Sequence, residues 1–316
     1  MHAVKRFFVK FTAYLLALCL PFAAFIAYVQ TRPAMFEGSM MGASHIKLDK
    51  LCATEGARVI IVGGSSAPYS VVCADVQAAL GMPCVNMGCT AYLGLAYYLA
   101  QLRGNLHEGD IVILAPEYVM YENGYSNSIV WMAAENHANV LKKLPAEYLP
   151  GMMRGFWAYA KQKLTLLRTD GAPTRTAAQA YADAGFGEWG DITKPRVNIL
   201  EHKYNTQDCR TVSADTLAPA VARDIRRFAV YARAQGASVY LTYAPFDALA
   251  LQSGTAGVDA LQARLQAECP DVPWLGRLAD GVLDADYFYD TNNHLNSAGA
   301  ALRTQRLIAD LEEALA

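Results

Sequence analysis

The sequence predicts an open α/β fold, a parallel doubly wound sheet, behind an N-terminal transmembrane helix. Three observations predict it. Short β-branched apolar runs alternate with stretches of helical periodicity on either side of a long aromatic segment. The first run, Arg58-Val59-Ile60-Ile61-Val62-Gly63-Gly64-Ser65-Ser66, ends abruptly in two glycines and two hydroxyls. Residues 11–29 are apolar or small except for Thr12, and they follow Lys5, Arg6 and Lys10.

A chain of 316 residues can bury a large core, and its formal charge of -2 and pI near 6.3 supply no cationic field for nucleic acid. Hydrophobic content is 53%, with the excess concentrated at the N-terminus. About 20 apolar residues span a bilayer, so 11–29 suffices, and the preceding cations predict a cytoplasmic N-terminus with the body exported. Pro21 is tolerated in such a helix. Residues 24–29 offer no small-x-small cleavage site, and Leu18 is too large before Cys19 for a lipobox, so an uncleaved anchor is expected. Outside the span lie Cys52, Cys73, Cys84, Cys89, Cys209 and Cys269, an even number that permits disulfides in an exported body and equally permits buried thiols. Cys84 and Cys89 lack the spacing of a redox or zinc motif. No metal site and no cofactor is expected.

Taken in order, 1–30 reads as cytoplasmic stub and anchor, 31–56 as a linker with Pro33, Gly38 and Gly42, and 57–316 as the body. Strand 59–62 leads to a helix over 67–80, then Gly81-Met82-Pro83 and a strand over 84–87 closed by Gly88. A helix over about 94–103 and Gly109-Asp110 precede strand 111–114, which is closed by Ala115-Pro116-Glu117-Tyr118. Right-handed crossovers bring all these strand ends to one edge. Between 123 and 211 the rhythm breaks. That stretch carries Trp131, Phe156, Trp157, Phe186 and Trp189 with Pro145, Pro150, Pro173 and Pro195, and is expected as an insertion capping the active edge. Helix 220–235, ended by Gly236, restores the pattern, followed by strand 238–243, a helix over 257–267, an edge strand over 272–275 that tolerates Pro273, and a closing helix over 297–315. His294 therefore sits in the loop that delivers the last helix.

Acyl transfer by serine needs a base, a carboxylate to orient it, and amide donors for the oxyanion. Ser65 at the first strand end, His294, and Asp290 four residues before it fill the first three roles. The backbone amides of Ser65 and Gly88 are the expected oxyanion donors. The bland alternative for Ser65 is a helix cap. Glu117, Asn123, Trp189 and Asp191 are candidates for contacts with substrate, Trp189 and Asp191 through the insertion.

Gly63-Gly64-Ser65-Ser66, Asn86-Met87-Gly88, Ala115-Pro116-Glu117-Tyr118 and the run from Asp290-Thr291-Asn292-Asn293-His294 to Gly299 resemble the successive blocks of SGNH/GDSL hydrolases. The likeness is to the membrane-anchored branch that includes the D-alanyl transfer protein and alginate-type O-acetylation proteins. It implies a flavodoxin-like, three-layer α/β/α fold and serine esterase or acyltransferase chemistry on a cell-surface glycan or glycopolymer, beside a membrane-bound O-acyltransferase. By this resemblance Ser65 is the nucleophile, Gly88 an oxyanion donor, and Asp290 and His294 complete the triad. The sequence departs from the pattern in three places. Gly64 replaces an aspartate; Glu117, an acceptor only when ionised, replaces an asparagine donor; and Asp290 stands four residues before His294 rather than three, which leaves Asp286 or no carboxylate as alternatives. A carbohydrate deacylase, and a non-catalytic scaffold subunit of a glycopolymer machine, are the rival expectations.

Overall fold

The structure is a computed structural model and describes residues 2–135, 137–169 and 185–316. Helix α1 (His2–Gln30) is long and apolar enough to cross a membrane. Helix α2 (Ala43–Ala53) follows, then strand β1 (Val59–Gly63), helices α3 (Ser66–Ser70) and α4 (Cys73–Leu80), and strand β2 (Cys84–Asn86). Next come α5 (Leu95–Leu102), β3 (Ile111–Ala115), α6 (Tyr118–Tyr121), α7 (Asn127–Ala133) and α8 (Leu149–Arg168). The chain ends with α9 (Pro219–Ala234), β4 (Ser238–Leu241), β5 (Phe246–Asp247), α10 (Gly254–Glu268), β6 (Val282–Leu283) and α11 (Ser297–Leu315).

The fold is α/β. Four strands form one parallel sheet in the order β2-β1-β3-β4, and β5 and β6 pair separately, also in parallel. Every residue of β1 and β3 is buried, which is why these strands read as unbroken apolar runs. Their alternate side chains serve two cores. Ile60, Val62, Val112 and Leu114 pack with Leu99 of α5 and with Ile225 and Phe228 of α9, whereas Val59, Ile61, Ile111 and Ile113 pack with Val76 of α4 and with Leu307 and Leu311 of α11. Helices thus cover both faces, and the carboxyl ends of all four strands share one edge. At the opposite edge Arg58 and Asp110, both fully buried, pair at 2.6 Å.

Three expectations are corrected. The segment 31–56 is no loose linker: Phe36, Met40, Ala43, Ser44, Lys47 and Leu51 are buried in the body. The helix expected over 67–80 is two helices, because Val71 and Val72 are extended and the Val72 amide donates instead to Thr304 Oγ1 of α11 at 2.9 Å. Residues 272–275 make only an isolated parallel bridge, Leu241 to Trp274, beside β4. The aromatic insertion is mostly ordinary core: Trp131 is nearly buried, and Phe156 and Tyr159 are fully so. Residues 170–184, including Pro173, lie outside the described residues. All seven cysteines are free thiols.

Candidate active site

The site grows from the end of β1. Gly63 pairs with Ala115 across the ladder, and Gly64 follows in the crowded space where β1 and β3 release their chains. Neither glycine has a positive φ, so their purpose is room rather than a turn. A Cβ on Gly64 would overlap the Glu117 carboxylate and lie 2.8 Å from the Ala91 Cβ. Ser65 then opens α3 without using its side chain as a cap. Its Oγ lies 3.5 Å from Glu117 Oε1, and the same oxygen accepts the Ser66 amide at 2.8 Å.

From the other end of the chain comes 290–296, a loop in which nearly every side chain has a partner. Asp290 Oδ1 lies 2.8 Å from His294 Nδ1. Thr291 Oγ1 accepts the amides of Asn293 and His294 at 3.3 and 3.1 Å. Asn292, fully buried, accepts the Asn205 amide and donates to the carbonyls of Asn205 and Asp208, pinning 205–208 to this loop. Asn296 caps α11 by accepting the Gly299 amide at 2.9 Å. The imidazole of His294 lies flat on the Tyr69 ring of α3, 4.0 Å between centroids and 3° from parallel.

Arg196 clamps these two halves. Its guanidinium donates to the carbonyls of Tyr69, Ile192, Lys194 and Leu295, and sits 5.3 Å from the Tyr69 ring centroid. Helix α3, which Ser65 opens, and the histidine loop are therefore tied through one buried cation, which no sequence motif marks.

Ser65, Glu117 and His294 line one pocket of about 260 Å³. Its wall also includes Tyr118, Phe246, Asn293, Asp208 and Arg210. Arg210 is held by Asp208 at 3.2 Å and Glu122 at 3.5 Å. It reaches the pocket because its backbone pairs with the 250–252 segment, a non-local contact invisible to pattern.

Several expected residues lie elsewhere. The Gly88 amide already donates to Asn86 Oδ1 at 3.0 Å, and its carbonyl accepts from Lys47 Nζ, so Gly88 is not a ready oxyanion donor. Burial lowers the Lys47 pKa to about 8. Asn123 Oδ1 accepts from Tyr148 Oη at 3.0 Å, outside the pocket wall. Asp191 accepts the Cys73 amide at the start of α4, and burial raises its pKa. Trp189 lies under Lys50 Nζ at 4.0 Å and lines a separate pocket of about 80 Å³ with Phe186 and Lys47, not the Ser65 pocket. Asp286 is exposed and pairs with Lys203, which leaves Asp290 as the carboxylate beside the imidazole. Among the described residues no cluster of three or more His, Cys, Asp or Glu is arranged to hold a metal ion.

The arrangement can generate a nucleophile. With Nδ1–H donated to Asp290, the basic nitrogen of His294 is Nε2, on a ring that lines the same pocket as Ser65. No protein-family model matches this sequence, and no curated protein matches it significantly.

Proposed function

We propose that the protein is a membrane-anchored serine acyltransferase or esterase of SGNH type, with a flavodoxin-like three-layer body outside the cytoplasm, acting on O-acyl groups of envelope polysaccharide. The observation that carries this reading is the shared pocket of Ser65 and His294 with Asp290 on the far ring nitrogen. Ser65 Oγ attacks the acyl carbonyl while its proton passes to His294 Nε2. The tetrahedral intermediate collapses, the leaving alcohol takes that proton, and the acyl group stays on Ser65. A sugar hydroxyl or water then attacks the acyl-serine and gives its proton to Nε2, which passes it to Ser65 Oγ as the second intermediate collapses and the acylated product leaves. A sugar acceptor makes the enzyme a transferase; water makes it a deacylase. A membrane-bound O-acyltransferase is the partner this reading calls for.

A second reading, a scaffold subunit that binds the glycopolymer without turnover, is favoured by one specific feature. The place beside Ser65 where an oxyanion donor belongs holds the Glu117 carboxylate, an acceptor when ionised, and the Gly88 amide is engaged by Asn86.

The deciding experiment is a fluorophosphonate probe with an aryl ester assay on the full chain in detergent. Wild type is expected to be labelled at Ser65 and to cleave the ester. Ser65→Ala and His294→Ala should each lose on the order of 10⁶ in kcat, and Asp290→Asn should retain a larger residue of activity. A folded wild type that neither labels nor cleaves establishes the scaffold.

A further inference from the structure

Helix α8 carries a second site. Residues 149, 152, 153, 156 and 157 fall within an arc of about 140° on this helix, at about 100° per residue. Two things share that arc. At its C-terminal part, Phe25 of α1 stacks on Trp157 with centroids 5.2 Å apart, Phe22 lies tilted against the same ring at 5.4 Å, and Phe25 meets Phe156 edge-on. At its N-terminal part is an open, apolar pocket of about 230 Å³ whose walls include Trp131, Leu141, Leu144, Leu149, Met152 and Met153. Leu149 is exposed at its rim.

Cations adjoin the wall residues along the chain. Lys142, exposed, follows Leu141 and donates to Asn139 Oδ1 at 3.0 Å, and Arg154, also exposed, follows Met153. Arg154, Lys161 and Arg168 are seven residues apart, all exposed, and so form one stripe along the border of the apolar arc. The helix contains no acidic residue. Among the described residues, Glu135 is held by Lys163 and Glu147 by Arg223.

We infer that this pocket takes an acyl chain of an anionic phospholipid, with the headgroup phosphate on the adjoining cations. An apolar cavity beside a membrane-crossing helix meets acyl chains before any soluble ligand, and a row of exposed cations next to it selects a negative headgroup. The inference rests on α1 crossing a bilayer and is independent of the chemistry at Ser65.

The test uses the full chain in phosphatidylcholine nanodiscs doped with a photoreactive diazirine-acyl analogue of either phosphatidylglycerol or phosphatidylcholine, irradiated and mapped by mass spectrometry. With the phosphatidylglycerol analogue, adducts are expected both in 11–29 and in 141–153. Arg154→Gln and Lys142→Gln should each lower the 141–153 yield about fivefold and leave α1 adducts unchanged. Ala146→Trp, which fills the cavity from its exposed rim, should suppress the 141–153 adducts with an unchanged circular dichroism spectrum. Adducts in α1 with none in 141–153, or pocket labelling unaltered by Ala146→Trp, overturn the site. Equal pocket labelling by both analogues overturns the headgroup assignment. Absence of adducts from α1 as well overturns the membrane placement and the site with it.

Discussion

Gly64 and Glu117 depart from the resembled pattern separately in sequence and together in space. An aspartate at 64 would place a second side chain inside the volume that the Glu117 carboxylate occupies, so each residue makes room for or excludes the other. Glu117→Gln keeps an oxygen for the Ser66 amide and adds an N–H where the oxyanion develops. One such donor is worth about 10²–10³ in rate, and Glu117→Gln is expected to raise aryl ester hydrolysis at least about tenfold. A lower rate would assign the carboxylate a positive role in turnover. Asp247 offers a test in stability. It is fully buried, its Oδ1 accepts the Leu249 amide at 2.8 Å, and its Oδ2 has no hydrogen-bond partner among the described residues. Burial raises its pKa from 3.8 to about 6. A folded pKa above the unfolded one means that its stabilising contribution is complete below about pH 4 and is lost as the pH rises through about 6, a change on the order of 2 kcal/mol. Asp247→Asn keeps the acceptor and removes the charge; urea unfolding in detergent should find it more stable than wild type at pH 7 and nearly equal at pH 4. Equal midpoints at pH 7 would show that Asp247 is solvated in the folded state. That Ser65 and His294 share a pocket, with Asp290 beside the imidazole, was legible because all three stand in polar motifs at a strand end or in the loop before α11. The loss of Gly88 as a donor was not, because it depends on how the Asn86 side chain turns two residues away. Arg196 and Arg210 carry no local pattern at all, and only the folded chain gives them partners.

Among the elements, those with a uniform apolar period were read from sequence almost to the residue. The closing helix 297–315 is α11, and the strands at 59, 84, 111 and 238 begin where their apolar runs begin. Helix α2 was missed for a physical reason. Its buried face includes Ser44 and Lys47 beside Ala43 and Leu51, so the apolar periodicity is interrupted by the polar groups that matter most to the Gly88 loop. Residues 272–275 were read as a strand because their composition suits an edge, but only the contact around Trp274 joins the ladder. The aromatic insertion is the case where composition leaves two readings, a platform for a ligand or ordinary core, and the more common one holds. Trp131, Phe156 and Tyr159 pack among themselves and against Phe36. Aromatic content alone does not separate a cleft from a core.

For the molecule as a whole, the decisive contact joins the body to the segment that follows α1. Glu135 Oε2 accepts the amides of Met35 and Phe36 at 2.7 and 2.9 Å, and Oε1 accepts from Tyr159 Oη at 2.9 Å and Lys163 Nζ at 2.7 Å. Glu135→Ala would leave Lys163 buried without a counter-ion, at about 3–5 kcal/mol. Limited proteolysis in nanodiscs should then cut within 31–42 in the variant and spare it in wild type; equal resistance in both would show that the aromatic contacts to α1 suffice. A flexible stretch of the length of 31–56 would let the body wander by roughly 30 Å over the bilayer. Here Val29 is already fully buried at the end of the anchor, and the chain beyond it is stitched down, so the Ser65 pocket is mounted rather than leashed. With α1 in a bilayer, the pocket mouth rides at one fixed altitude and tilt. On the function proposed above, a polymer strand would be reached only where its path crosses that altitude, and the spacing of modified sugars along it would record how the polymer moves past the membrane.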